Sequence, residues 1–510
     1  MIGGMDECYI GRLPEELMMH ILEYLDSPAP SQLKIRHEPS LTLTESVDTS
    51  YKAVSCVSKS LRRLTLPLLF RHSRLRLDQP LKHSWTKCLI CNAGGLDFRL
   101  QTSKTPPVAY GIDQYHVHVL NDVATLLEES KEQKHAVANF ADRSPIEKQA
   151  SQMRENFLDW SPRFYHGLKD FVDFLTSHDL SSSVQSYVIS TDKMLSKKLD
   201  RFPHLAATDR DIRYRCSVEF WTHLLSVANN LQRVTILAPP IDLACLTNCA
   251  IDTFGDWAFG DMDFHVLTVS LPLSTSILTP IQSNADQSVD YTTLDPLPHR
   301  YPGLAPHSLL NLRPWHSIQI NEGAFLKAYG TYEYFERGPP SLIYSIKDSL
   351  APRPIYSAHA QRISAIPLQN LLSFTYTGIF PFANHLDFRE LLPQLEELDL
   401  QLAPDPGSNI LQEPARVGKA QMEDLWSELI TVYQHVAALL GTFHITARNV
   451  PRLKKFVCRD SKIANLQEEL DEVFVPLCLP VWAEYEVGVF SRLKGGIDEV
   501  EEYRNVSWAD

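Results

Sequence analysis

The chain carries none of the short signatures that mark common catalytic centres. There is no Gly-x-Ser-x-Gly elbow, no phosphate-cradling Gly-x-x-x-x-Gly-Lys-Ser/Thr loop, no His-Glu-x-x-His and no Gly-x-Gly-x-x-Gly. Ser-x-x-Lys occurs at Ser84 to Lys87 and Ser190 to Lys193, but two fixed letters recur by chance in 510 residues, and the companion motifs are missing. Cys88-Leu89-Ile90-Cys91 has the spacing of half a zinc site. His116 and His118 are too close together to complete it, so neither a metal nor a cofactor is expected. No stretch reaches the roughly 18 consecutive apolar residues of a membrane span. Met1 to Ile10 has neither a basic start nor an apolar run, so a secretory signal is not expected. Nine irregularly spaced cysteines suit reduced thiols in cytoplasm or nucleus.

Basic residues are in short supply outside one segment. The 48 Lys and Arg stand against 62 Asp and Glu, a net charge of −14. Seven of the 48, and no acid, lie in Tyr51 to Leu77, leaving −21 on the remainder. Wholesale nucleic-acid binding needs broad phosphate neutralisation, which such a body does not offer. A small basic face instead suits an acidic protein partner. With 44% apolar and 22% charged residues, the chain is long enough for ample core in one to three domains.

The N-terminal segment is written in two blocks. Leu13 to Asp26 (LPEELMMHILEYLD) opens with Pro14, placed at a helix start, and with Glu15 and Glu16 at the positive end of the helix dipole. Leu13, Leu17, Ile21 and Leu25 are four apart and form one apolar stripe. In Tyr51 to Leu77, Val54, Val57, Leu61 and Leu64 continue a helical spacing, with Ser58 or Ser60 as a cap. Pro67 is expected to end that helix, and Leu75 and Leu77 alternate with arginines like a half-buried strand.

These blocks resemble the F-box of fungal proteins, through Leu13-Pro14-Glu15-Glu16-Leu17, Ile21 to Leu25, Val57 to Leu64 and Leu66 to Arg71. Residues 27–50 form an insertion longer than the family's usual connection. The alternative is a three-helix cap on a larger domain. The resemblance implies a substrate-recognition subunit of a cullin-RING (SCF-type) ubiquitin ligase, not itself an enzyme. It would dock on a small acidic Skp-family adaptor and, through it, on cullin. Leu13, Pro14, Leu17, Ile21, Leu22, Val57, Leu61 and Leu64 would then supply an apolar contact rimmed by Lys59, Arg62 and Arg63.

Beyond an irregular connector (78–180), a six-residue phrase recurs, apolar at its first, fourth and sixth places. It appears at Val184 to Ile189, Leu231 to Ile236, Phe264/Leu267/Val269, Trp315/Ile318/Ile320, Leu371/Phe374/Tyr376, Leu395 to Leu400 and Leu453 to Cys458. Helical segments precede several of them: Phe171 to Leu175, Val218 to Ala228 and Leu386 to Leu392. The phrase resembles the strand of a leucine-rich repeat, stretched and degenerate. Only the 24-residue step from Leu371 to Leu395 lies in that family's range of about 20–29. An ordinary α/β core is the alternative.

The fold expected is therefore α/β. It comprises an F-box over 11–77, the connector, an irregular leucine-rich-repeat-like solenoid over 181–493, and an acidic tail over 494–510. On this reading the third and fifth places of each phrase face a target protein: Arg233, Thr235, Ser317, Gln319, Ser373, Thr375, Glu397, Asp399 and Lys455. Leu402 to Lys419 reads as a surface excursion. Met422 to Leu440 reads as an amphipathic helix packed outside the sheet. The competing functions are a non-catalytic interaction solenoid outside any ligase, and an enzyme with a dispersed site.

Overall fold

All seven phrases become strands, and they lie side by side in sequence order. The computed structural model describes residues 13–25, 28–45, 49–77, 168–191, 217–251, 264–272, 304–331, 338–350, 368–446, 452–478 and 482–493, apart from 169, 219, 250, 305 and 306. Within these residues the chain is mixed α/β around one ten-stranded sheet of order β1-β2-β3-β4-β5-β6-β7-β8-β10-β9. The strands are β1 (His72–Arg76), β2 (Ser186–Ser190), β3 (Arg233–Ala238), β4 (His265–Ser270), β5 (Ser317–Ala324), β6 (Ser373–Ile379), β7 (Glu397–Gln401), β8 (Lys455–Cys458), β9 (Trp482–Glu486) and β10 (Val489–Arg492). The phrases supply β2 to β8, and the Leu75 segment supplies β1 at the edge.

Period-two alternation puts the fourth and sixth places of every phrase on one face, where helices bury them. Strand register aligns the two places into two continuous rows. One runs Tyr187, Val234, Val269, Ile318, Phe374, Leu398, Phe456 and Phe490. The other runs Ile189, Ile236, Leu267, Ile320, Tyr376, Leu400 and Cys458. Both rows lie in the main hydrophobic core.

The repeat is also written in the backbone. At each parallel step, the amides of the second and third places donate to one carbonyl of the strand before. Gln185 and Ser186 donate to Arg71 (2.9 and 3.0 Å), and Gln232 and Arg233 to Gln185 (2.8 and 3.2 Å). Leu372 and Ser373 donate to His316, Glu396 and Glu397 to Leu372, and Lys454 and Lys455 to Glu396. The acceptor is the second-place carbonyl wherever a phrase precedes.

One strand breaks the pattern. β4 runs antiparallel to both neighbours, so its order is reversed: Val269 joins the fourth-place row and Leu267 the sixth. Phe264 consequently leaves the end of the sheet where the other first places are buried, and packs among residues on the opposite face. Two further expectations need correction. The helix Lys59–Phe70 passes through Pro67 rather than stopping there. The lost amide bond is offset because Leu68 is buried with Met18 and Leu22, while Leu66 and Phe70 reach the main core. Leu386 to Leu392 is a run of turns, not a helix, although Leu391 and Leu392 both donate to the Phe388 carbonyl (3.0 Å each).

The stripe after Met422 forms a 25-residue helix, Met422–Thr446. Leu425, Leu429, Tyr433, Ala437 and Leu440 are buried along it, and Tyr433 meets Phe474 of the helix Ala464–Cys478 at 5.7 Å. Between them sits Asp460, 1% exposed. Its Oδ2 accepts from Leu402 N (2.7 Å), Ala403 N (2.8 Å) and Tyr433 Oη (2.5 Å). Burial pushes its carboxyl up to about 6 against the pull of these donors. The excursion that begins at Leu402 is thereby anchored at its root, while residues 405–409 stay exposed.

Candidate functional site

The N-terminal helices α1 (Glu15–Glu23), α2 (Ser50–Ser55) and α3 (Lys59–Phe70) form a small unit whose core is Met18, Leu22 and Leu68. Pro14 takes the N-cap position, one residue before the helix proper, and the Ser58 hydroxyl caps α3 by accepting from Leu61 N (3.1 Å). Tyr51 Oη donates to the Leu22 carbonyl (3.0 Å), holding α2 against α1.

One apolar face of α1 suffices for this packing, yet the helix has a second. Leu17 is 51% exposed, Ile21 50%, and Leu13 and Leu25 each 37%; Val57 on the α2–α3 turn is 72% exposed. Isolated exposed leucines are ordinary, but Leu17 and Ile21 on α1, with Leu13 and Leu25 flanking it and Val57 on the turn, are an unpartnered set. Leu22, expected on this surface, is instead interior at 3% exposure. The reason is spacing: Met18 and Leu22 are four apart on the side of α1 turned toward Leu68. Leu61 and Leu64 are half-buried against the same cluster. Lys59, Arg62 and Arg63 are exposed, and Arg63 pairs with Glu15.

The face of the sheet opposite the core carries the third and fifth places. Arg233, Ser317, Ser373, Glu397 and Lys455 fall in one row, and Thr235, Gln319, Thr375 and Asp399 in the next. The first row is accessible: Lys455 is exposed, the others are half-buried, and Lys455 Nζ donates to Glu397 (2.8 Å). In the second row only Gln319 is half-buried. Thr235, Thr375 and Asp399 are buried, which corrects their expected role as open contacts. Thr235 bonds Thr268 on β4 (3.0 Å), and Asp399 receives two arginines.

The second of those arginines comes from the N-terminal insertion, which lies on this same face. Ile35 and Leu43 pack on Leu237 and Val266, with Leu41 and Phe264 alongside. Asn321 Nδ2 donates to the carbonyls of Ile35 and His37 (2.8 Å each), and Pro39 rests 3.5 Å from where a Cβ would stand on Gly323. Gly323 adopts φ +73°, so a side chain there would be strained. Arg36 reaches Asp399 (2.6 and 3.3 Å), which Arg459 holds from another side (2.7, 2.9 and 3.2 Å). A cavity of about 720 Å³ remains between this segment and the ends of β5 to β7. Neither the insertion's seat nor the cavity was foreseeable from local pattern, because both arise from contacts some 280 to 360 residues apart in the chain.

At the margin of that cavity, on the core side of β5, sits a buried polar group of residues. Glu322 Oε2 accepts from Tyr376 Oη (3.0 Å) and lies 3.4 Å from His385 Nε2, while Oε1 accepts from Leu342 N (3.2 Å). Burial pushes the Glu322 carboxyl up to about 7 and pulls His385 and the neighbouring His265 down to about 3. Burial favours the neutral form of both partners, so below about pH 7 Glu322 and His385 meet as acid and imidazole rather than as an ion pair. A carboxyl whose folded value lies above its ordinary 4.5 gives stability that is complete below 4.5 and is lost as pH rises through 7. Glu322→Gln should therefore gain on the wild type by about 3 kcal/mol between pH 4.5 and 8, read as the difference in urea unfolding. An unchanged difference would mean that the carboxylate is already charged at low pH.

Among the described residues no group of three or more His, Cys, Asp or Glu is arranged to hold a metal. Cys88, Cys91, His116 and His118 lie outside the described residues, as do residues 78–167 of the expected connector. No described helix is long and apolar enough to cross a membrane. Comparison with protein-family models, with curated proteins and with solved structures returns no match.

Proposed function

We propose that the chain is the substrate-recognition subunit of an SCF-type ubiquitin ligase, with an F-box at its N-terminus and a degenerate leucine-rich-repeat-like sheet that grips cargo. The observation that carries this reading is the exposed stripe Leu13, Leu17, Ile21 and Leu25, together with the exposed Val57 of the same three-helix unit. It is an apolar surface left over after the helices have satisfied their own core. Lys59, Arg62 and Arg63 supply positive charge near it, which favours encounter with an acidic Skp-family adaptor. The recurrent amide-to-carbonyl pairing supports the repeat, with β4 as an inverted member. The chain's contribution to chemistry is then proximity: it raises the local concentration of a target protein beside a ubiquitin-loaded enzyme.

Co-expression with a Skp-family adaptor tests the assignment. A stoichiometric complex on gel filtration is expected. A wild-type chain that folds and remains free of adaptor would refute the ligase reading and leave an interaction protein outside any ligase.

A further inference from the structure

The insertion shows in cis what the polar face of the sheet accepts. Three consecutive residues make three kinds of contact there. Ile35 puts an aliphatic side chain on Leu237 and Val266, and Arg36 puts a guanidinium on Asp399. Asn321 grips the main chain on both sides of Arg36 through one amide nitrogen. The last contact reads backbone and is blind to sequence. The first two ask only for an aliphatic residue followed by a basic one. Any segment with that pattern that makes the same turn, closed here by His37 N donating to the Lys34 carbonyl (2.9 Å), meets the same three features.

The site is also built to survive the insertion's departure. Asp399 keeps its bonds to Arg459 when Arg36 leaves, so no buried carboxylate is stranded. Leu237 and Val266 are fixed by their strands, and Asn321 by its own bond from Gly323 N (3.0 Å). Residues 34–45 are held by these contacts, by the packing of Leu41 and Leu43 and of Pro39 at Gly323, by the Arg74–Glu45 approach at 3.9 Å, and by the Arg416–Glu38 pair with the loop beyond β7.

We infer that residues Ile35 to His37 are a pseudosubstrate, occupying in cis the place where a turn of the cargo protein that carries an aliphatic-Arg/Lys pair docks. This rests on the proposal that the sheet grips cargo, and it names the chemistry of that cargo: a basic peptide matched to a carboxylate on an otherwise acidic chain. The tether gives the insertion an effective concentration on the order of millimolar, so free peptide competes poorly until the insertion is displaced.

The test uses a fluorescein-labelled synthetic peptide spanning 28–45 and the full chain. Arg36→Glu sets like charge against Asp399 and lifts the insertion without touching the receiving residues. Arg36→Gln, which removes only the ion pair, serves if the first variant does not fold. Either variant should bind the peptide at least about ten-fold more tightly than the wild type by anisotropy, and the gain should vanish when the peptide itself carries Glu at position 36. Equal affinity of the wild-type and opened chains for the peptide would overturn the inference. Adaptor capture is measured on the same preparations. Its loss with the peptide gain intact would count against the ligase reading alone, and its retention without the gain against the pseudosubstrate alone.

Discussion

Changing Leu17 to aspartate is expected to abolish capture of the Skp-family adaptor while leaving the fold intact. Half of the Leu17 surface already faces water, and its neighbours Met18 and Leu22 hold α1 without it. Surface changes away from a core usually move stability by less than about 0.5 kcal/mol, so the unfolding midpoint should stay within a degree or two. Binding is different, because a carboxylate would have to be desolvated at the centre of an apolar contact. Central hot-spot residues cost about 2 to 4 kcal/mol on truncation, which corresponds to an affinity loss of about thirty- to a thousand-fold. Titration calorimetry with purified adaptor measures the loss. Leu22→Asp is the contrasting control: at 3% exposure it should unfold the N-terminal helices and lose the adaptor through instability. If Leu17→Asp binds as the wild type does, the exposed stripe is not the contact.

Asp460→Ala is expected to destabilise the C-terminal half by about 4 kcal/mol. One buried carboxylate oxygen serves two backbone amides and a tyrosine hydroxyl. Removing it leaves three buried donors without an acceptor, each costing about 1 to 3 kcal/mol, less what local rearrangement recovers. Asp460→Asn keeps a single carbonyl oxygen and should lose about half as much. Urea unfolding followed by tryptophan fluorescence distinguishes the two. A small, equal effect of both would show that water replaces the carboxylate at Leu402 and Ala403.

The strands were legible in the sequence because their signal is local. A buried fourth and sixth place recur wherever a strand must cover the same core, and Val234/Ile236 or Leu398/Leu400 announce themselves without reference to anything distant. The direction of a strand is not local, which is why His265 to Ser270 reads like its fellows and yet runs backwards. Side-chain alternation is identical in either sense. The exposed N-terminal stripe was legible for a related reason: Leu17, Ile21 and Leu25 lie on one helical face whatever covers it. Leu22 was misplaced because an α-helix with two apolar sides does not declare which one looks inward. Thr235, Thr375 and Asp399 point to the expected side of the sheet but are buried there, since facing a side and being free on it are separate properties. What residues 28–45 rest upon had no signature, because Arg36 and Asp399 are paired by the fold alone.

α3 and β1 are joined by a single residue, Arg71, whose carbonyl already receives Gln185 and Ser186. The junction therefore has no slack. Phe70, stacked on Phe174 at 5.0 Å, locks the last turn of the helix against its neighbour across the sheet edge. A body clamped to the N-terminal stripe is in consequence held at a set bearing to the edge of the sheet, like a handle brazed rather than hinged to its blade.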